Sequence, residues 1–138
     1  MRPFAALDRL AGRLTPYAGA ILRVGVGWVF LRHGVAKVGM GAAAVAGFFH
    51  GLGIPFPHVF AVVVIVTETV GAACVVAGFL TRFWAACMAV DMVVAILVAV
   101  LPRPFELEGL LLAGSLALIG LGDGPLSVGR LIAGKPRA

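Results

Sequence analysis

The 138-residue chain is 62% hydrophobic and only 12% charged, with 11 Lys and Arg against 6 Asp and Glu, and its mean hydropathy is +1.10. Soluble domains carry roughly a quarter charged residues, and helices apolar on every face cannot present a wet surface, so a soluble bundle is excluded. The +5 formal charge is scattered over tails and apolar runs instead of forming a stripe, which fits anionic headgroups and argues against nucleic acid.

Residues 1–16 repeat Phe4, Leu7, Leu10 and Leu14 at three- to four-residue spacing, with Arg2, Arg9 and Arg13 available for headgroups. That pattern predicts a short helix lying in the membrane interface, with Pro16 opening the first span. Apolar runs then predict four spans, at about 17–38, 59–79, 82–101 and 105–122. Each meets the requirement of about 20 apolar residues, with roughly 17 as the lower limit. The first run begins too late, and carries too much charge, to read as a cleaved signal peptide.

The connection from Gly39 to His58 is the longest, and Ala42 to His50 within it suits a short helix at the membrane surface before the breakers Gly51, Gly53, Pro55 and Pro57. Gly78 closes the second span, Thr81 caps the third, and Pro102 and Pro104 force a stop and restart before the fourth. The expected fold is therefore all-α: a single domain over residues 1–138, built as a polytopic antiparallel four-transmembrane-helix bundle with a short interfacial helix between helices 1 and 2. Arg2, Arg9, Arg13, Arg82, Arg130, Lys135 and Arg137 fall on one side of such a bundle, against Arg32, Lys37 and Arg103 on the other. The positive-inside rule then places both termini in the cytoplasm.

Ionisable residues within spans mark ligand, ion or proton sites, or pair to hold helices in register. At about 1.5 Å per residue, Glu68 lies about 12 Å below the outer surface and Asp91 near the midplane, while Glu108 is close to the surface. Arg23 lies deep toward the cytoplasmic end, and Arg32, His33 and Lys37 in the outer third. Arg23, Gly27, Phe30, Gly34 and Lys37 share one helix face, with His33 at its edge and Arg32 opposite, on the lipid or headgroup side. Two groups follow. His33, Lys37, Glu68 and Glu108 form an outer polar pocket for ligand binding or proton relay, and Arg23 with Asp91 forms a deeper structural ion pair. His50 and His58 are interfacial or cover that pocket. No metal-ligand spacing is present, and no catalytic residue is assigned. Cys74 and Cys87 read as buried small hydrophobes, and Trp28 as a packing residue.

An ordered series of segments resembles the DoxX family of small bacterial four-helix membrane proteins. It runs through LRVG at Leu22–Gly25, FLRHGVAK at Phe30–Lys37, LGIP at Leu52–Pro55, ETVGA at Glu68–Ala72 and VAGFLTR at Val76–Arg82. It closes with ELEG at Glu106–Gly109 and GLGDGPLS at Gly120–Ser127. The resemblance covers about residues 16 to 130. It implies the bacterial inner membrane and a link to membrane redox complexes, since the family takes its name from a subunit of a thiosulfate:quinone oxidoreductase. It puts weight on Arg23, His33, Gly34, Lys37, Glu68, Gly78, Arg82 and Glu108, whereas Asp91 is less typical.

The expected function is a small component of a membrane redox system that binds a quinone-like or other lipid-soluble ligand. No cofactor is intrinsic to the chain, so electrons would come from a redox partner protein. A non-catalytic scaffold or assembly partner is the alternative, and a small-solute transporter, as a homo-oligomer supplying more helices, a third. Whether the chain is an enzyme stays open at this level.

Overall fold

The computed structural model describes residues 4–100 and 103–134. Arg2, Pro102, Lys135 and Arg137, which entered the orientation and turn arguments, lie outside the described residues. Among the described residues six helices follow one another: α1 (Ala5–Met40), α2 (Ala42–Gly51), α3 (Pro57–Ala77), α4 (Thr81–Val94), α5 (Glu106–Leu121) and α6 (Val128–Ala133). Two of them change pitch. Thr67–Gly71 within α3 is a π-helical turn, and α4 continues as π-helix over Ala95–Val100.

The sequence accounts for most boundaries. Gly41, at φ +86°, ends α1 and starts α2, its N–H donating to the Lys37 and Val38 carbonyls at 3.0 and 3.1 Å. Gly78, at φ +73°, ends α3 in a Schellman motif: Phe79 N–H donates to the Cys74 carbonyl at 2.9 Å and Gly78 N–H to that of Val75 at 3.1 Å. Pro57 sits at the first turn of α3, where a missing N–H is harmless.

Three expectations are corrected. The lead-in is not a separate interfacial helix, because α1 runs unbroken from Ala5 to Met40 with Pro16 inside it. A proline there removes one backbone hydrogen bond, which the helix tolerates. Thr81 does not cap α4; it is the first helical residue, and the capping position belongs to Leu80 at φ +52°. The four-span bundle is also overturned. Only Ala6–Met40, Pro57–Ala77 and Thr81–Ala99 are long and apolar enough to cross a membrane among the described residues. The run at 105–122 forms a 16-residue helix, about 24 Å long against a hydrocarbon core of roughly 30 Å. Apolar composition was sufficient there, but Pro104 before it and Gly122 (φ +66°) after it fix a shorter element.

α5 packs along α4 and brings the chain back to the α3–α4 turn, where the Arg82 guanidinium donates to the Gly120 carbonyl at 3.4 Å. The core lies between α1, α3, α4 and α5, around Phe30, Val75, Met88 and Leu118. α2 folds back on the first half of α3 through Val45, Ala46 and Ala61. The α3–α4 hairpin is closed at Gly78 and splayed at its far end: α4 touches α3 along Ala72–Ala77 and the π turn. That splay makes the site described next.

Candidate functional site

Close approach of two backbones places the central charges. A Cβ on Gly34 would lie 2.5 Å from both the carbonyl carbon and oxygen of Glu68, so α1 can meet the π turn only through glycine here. The π turn is wider than an α turn and re-aims the side chains it carries. Glu68, on that turn, is 3% exposed, and Lys37 sits one helical turn beyond Gly34. The Lys37 ammonium donates to Glu68 Oε2 in an ion pair joining α1 to α3.

Asp91 enters from α4. Its carboxyl lines the same cavity as Glu68 and Lys37, and its buried Oδ2 has no hydrogen-bond partner among the described residues. Lys37, Glu68 and Asp91 are thus a three-helix cluster of one cation and two carboxyls.

The cluster forms one wall of a cavity of about 860 Å³. His33, exposed on α1, and Glu108, half-buried in the first turn of α5, line the same cavity. The four residues of the expected outer pocket therefore share one space, and Asp91 joins them. Phe49, Leu52 and Ile54, from α2 and the loop after it, cover one side. The remaining walls are apolar. Val63 on α3 and Val90, Val94 and Val98 on α4 line the cavity while remaining 40–64% exposed on the helix surface. The space therefore opens sideways between α3 and α4, toward the surface that acyl chains cover. Its lining on α4 runs from Phe83 to Ala99, about 24 Å along the axis.

Arg23 and Asp91 do not meet. Arg23, 1% exposed, turns away to the other end of the bundle, where its Nη2 donates to the Leu126 carbonyl and Asp123 supplies the nearby opposite charge. Equal depth on two helices does not fix which residues face each other, and the segment after α5 competes for Arg23. That segment is a clasp: Asp123 Oδ1 accepts from Thr81 N–H at 2.9 Å, and Gly129 N–H donates to the Gly78 carbonyl at 2.9 Å. Asp123 thus caps α4 from another element, since Leu80 cannot. The acidic residue inside GDGP was the available signal for it, and the sequence reading passed it over. The apolar track of the cavity had no signal, because a valine facing a cavity and one facing lipid look alike.

Arg32 is exposed, as is Trp28 on the helix surface; His50 and His58 are exposed and do not line the cavity. Cys74 and Cys87 are free and half-buried, and of the two Cys87 lines the cavity. No group of three or more His, Cys, Asp or Glu suited to a metal occurs among the described residues.

Three long apolar helices around an internal polar cluster define a small multi-pass helical membrane protein. The DoxX family model matches residues 18–101, from α1 through the π segment of α4, and the chain belongs to the DoxX family. This fits a bacterial inner-membrane protein with a redox-related role. Searches of curated proteins and of solved structures gave no match.

Proposed function

We propose that the chain is a small component of a membrane redox system and that its lateral cavity binds a quinone-like, lipid-soluble ligand. The observation that carries this reading is the combination, in one cavity of about 860 Å³, of a charged cluster at one wall and an apolar track open to lipid. Ligand sites are mostly apolar spaces with a few convergent polar groups that orient the ligand. A ring with polar substituents would sit beside Lys37, Glu68 and Asp91, and its tail would lie along α4 and leave between α3 and α4. His33 and Glu108 are the groups through which protons would pass to the aqueous edge. Electrons would come from a partner protein, since a quinone carries them between proteins and the chain need only bind and orient it.

The end carrying Arg9, Arg13, Arg82 and Arg130 is assigned to the cytoplasm by the positive-inside rule.

The test is extraction of protein purified in native lipid. A stoichiometric quinone is expected with the wild-type chain and is depleted in Glu68→Gln; no enrichment over bulk lipid in either preparation would sink the reading. A scaffold is the second reading, favoured by the Lys37–Glu68 pair, which joins two helices whether or not a ligand is present. It predicts that a partner protein keeps full activity when Lys37 and Glu68 are neutralised together.

A further inference from the structure

Helix α1 carries a repeat that its own bundle does not use. Leu7, Leu14, Ile21, Trp28 and Val35 recur every seven residues, and Leu10, Tyr17, Val24, Leu31 and Val38 recur between them. This alternation of three and four is the seam of a coiled coil, unbroken from Leu7 to Val38. Leu31 packs partly on the core; the other nine are 47–63% exposed. α1 meets the bundle through its opposite face, where Arg23, Val26, Gly27, Phe30 and Gly34 are buried. None of the seam residues lines the cavity.

Lipid does not account for this seam. Residues 6–18 are exposed on every side, so about 20 Å of α1 stands clear of the bundle. This piece is continuous with the span and follows its direction instead of lying flat on the membrane. A lone helix of that length is marginal in water. Along it Asp8, Arg9, Gly12, Arg13 and Thr15 fall off the seam, while Leu7, Leu10, Leu14 and Tyr17 fall on it. Two features deeper in the span point the same way. Trp28, near its middle, is 58% exposed, whereas indoles that face lipid collect at the membrane interfaces. A Cβ on Gly25 would meet nothing within 4 Å, so the chain's own packing does not call for glycine there. With Ala11 and Ala18 at the same seven-residue spacing, Gly25 edges the seam with small residues, which let two membrane helices approach closely.

We propose that α1 is a dimer interface, and that the α1 helices of two copies of this chain pair along this seam, parallel and in register, with a left-handed crossing. Copies inserted in the same orientation are related by an axis along the membrane normal, so the pairing is parallel and each seam residue meets its own counterpart. A strict seven-residue period suits that hand of crossing. The charges allow it: Arg13 comes beside Ala18 of the partner subunit and Arg32 beside Gly27 of the partner subunit, so no like charges meet across the seam. The seam is about 48 Å long and, at a helix diameter of 10–12 Å, covers on the order of 500 Å² per copy, or about 1,000 Å² for the pair, the size a specific interface needs. The inference holds whether or not the cavity takes a ligand.

Disulfide trapping of the full chain in native membranes tests the register. In a Cys74→Ala/Cys87→Ala background, single cysteines are oxidised with copper–phenanthroline. Leu7→Cys and Leu14→Cys are expected to give a species of twice the chain mass at least about fivefold above Arg9→Cys and Gly12→Cys, which lie on the opposite face. Equal trapping on both faces, or none above Arg9→Cys, overturns the seam. Förster transfer between copies tagged at the C-terminus and mixed in liposomes tests the pairing with the native cysteines in place. Wild type is expected to show transfer that unlabelled chain competes away, and Gly25→Leu, which the single chain accommodates, to weaken the dimer by about tenfold with helix content kept by circular dichroism. A monomeric wild type overturns the proposal and leaves α1 to lipid or to a different protein; an unchanged dimer in Gly25→Leu places the interface elsewhere and overturns it equally.

Discussion

Lys37 and Glu68 form a buried pair whose worth depends on what is compared. Bringing two charges into an apolar interior costs several kcal/mol per ion, and the pair recovers this only while both members are present. Lys37→Met leaves the buried Glu68 carboxylate without its cation and is expected to destabilise the chain by about 3–5 kcal/mol. The double variant Lys37→Met/Glu68→Met removes both members of the pair, and its cost is expected to be well below the sum of the single variants. A double-mutant cycle by reversible unfolding in mild detergent measures this, and additive losses would mean the two side chains do not interact. Gly34 holds the same junction from the backbone side. Gly34→Val pushes a side chain into the Glu68 carbonyl, and overpacking of this kind costs about 1–3 kcal/mol. It should abolish benzoquinone binding even where the helices still assemble, because it moves Glu68 away from Lys37. The ionisable residues themselves, and the shared face of Gly27, Gly34 and Lys37, were legible in the sequence because helical angle depends only on residue spacing. That Asp91 shares a cavity with Glu68 and does not meet Arg23 was not, since it depends on the relative depth of three helices and on a clasp some hundred residues from Arg23 in the chain.

At the scale of elements, the π turn of α3 and the clasp after α5 act on the two ends of one hairpin. The clasp closes the Gly78 end by supplying the cap that α4 lacks. Asp123→Ala removes the acceptor for Thr81 N–H and the nearby charge for Arg23, so a loss of about 1–2 kcal/mol is expected, in the range of a lost helix cap. Since no residue of the clasp lines the cavity, benzoquinone affinity should change little; a large affinity loss without a stability loss would contradict the division of roles. The π turn works at the other end. Deleting Val70, which is exposed within the turn, removes the extra residue that the π turn accommodates, restores regular pitch and re-aims the side chains of that turn, Glu68 among them. Glu68 then cannot keep both its backbone contact with Gly34 and its place opposite Lys37, and ligand binding should be lost while helix content is kept. Neither feature follows from hydropathy. A π turn costs a sequence nothing visible, and the short α5 was masked by its own apolar composition.

For the whole molecule, helix α1 exceeds what a bilayer needs. Its 36 residues rise about 54 Å against a core of roughly 30 Å, so its N-terminal turns, with exposed Phe4, Leu7, Leu10 and Leu14, extend to or beyond the headgroups. A three-span reading with α5 packed beside α4 leaves the cavity facing lipid along α4, from Phe83 to Ala99, and both cysteines report on it without any added probe site. Cys87 lines the cavity and Cys74 does not, although both are half-buried. The most direct test of the ligand site is the rate at which a membrane-permeant maleimide modifies these two thiols in nanodiscs, with and without a decyl-benzoquinone whose ring is fully substituted and so inert to thiols. At a ligand concentration about ten times its Kd, modification of Cys87 should slow by about tenfold, as occupancy dictates, while Cys74 is unchanged. Equal rates at Cys87 with and without the ligand would contradict a binding site between α3 and α4.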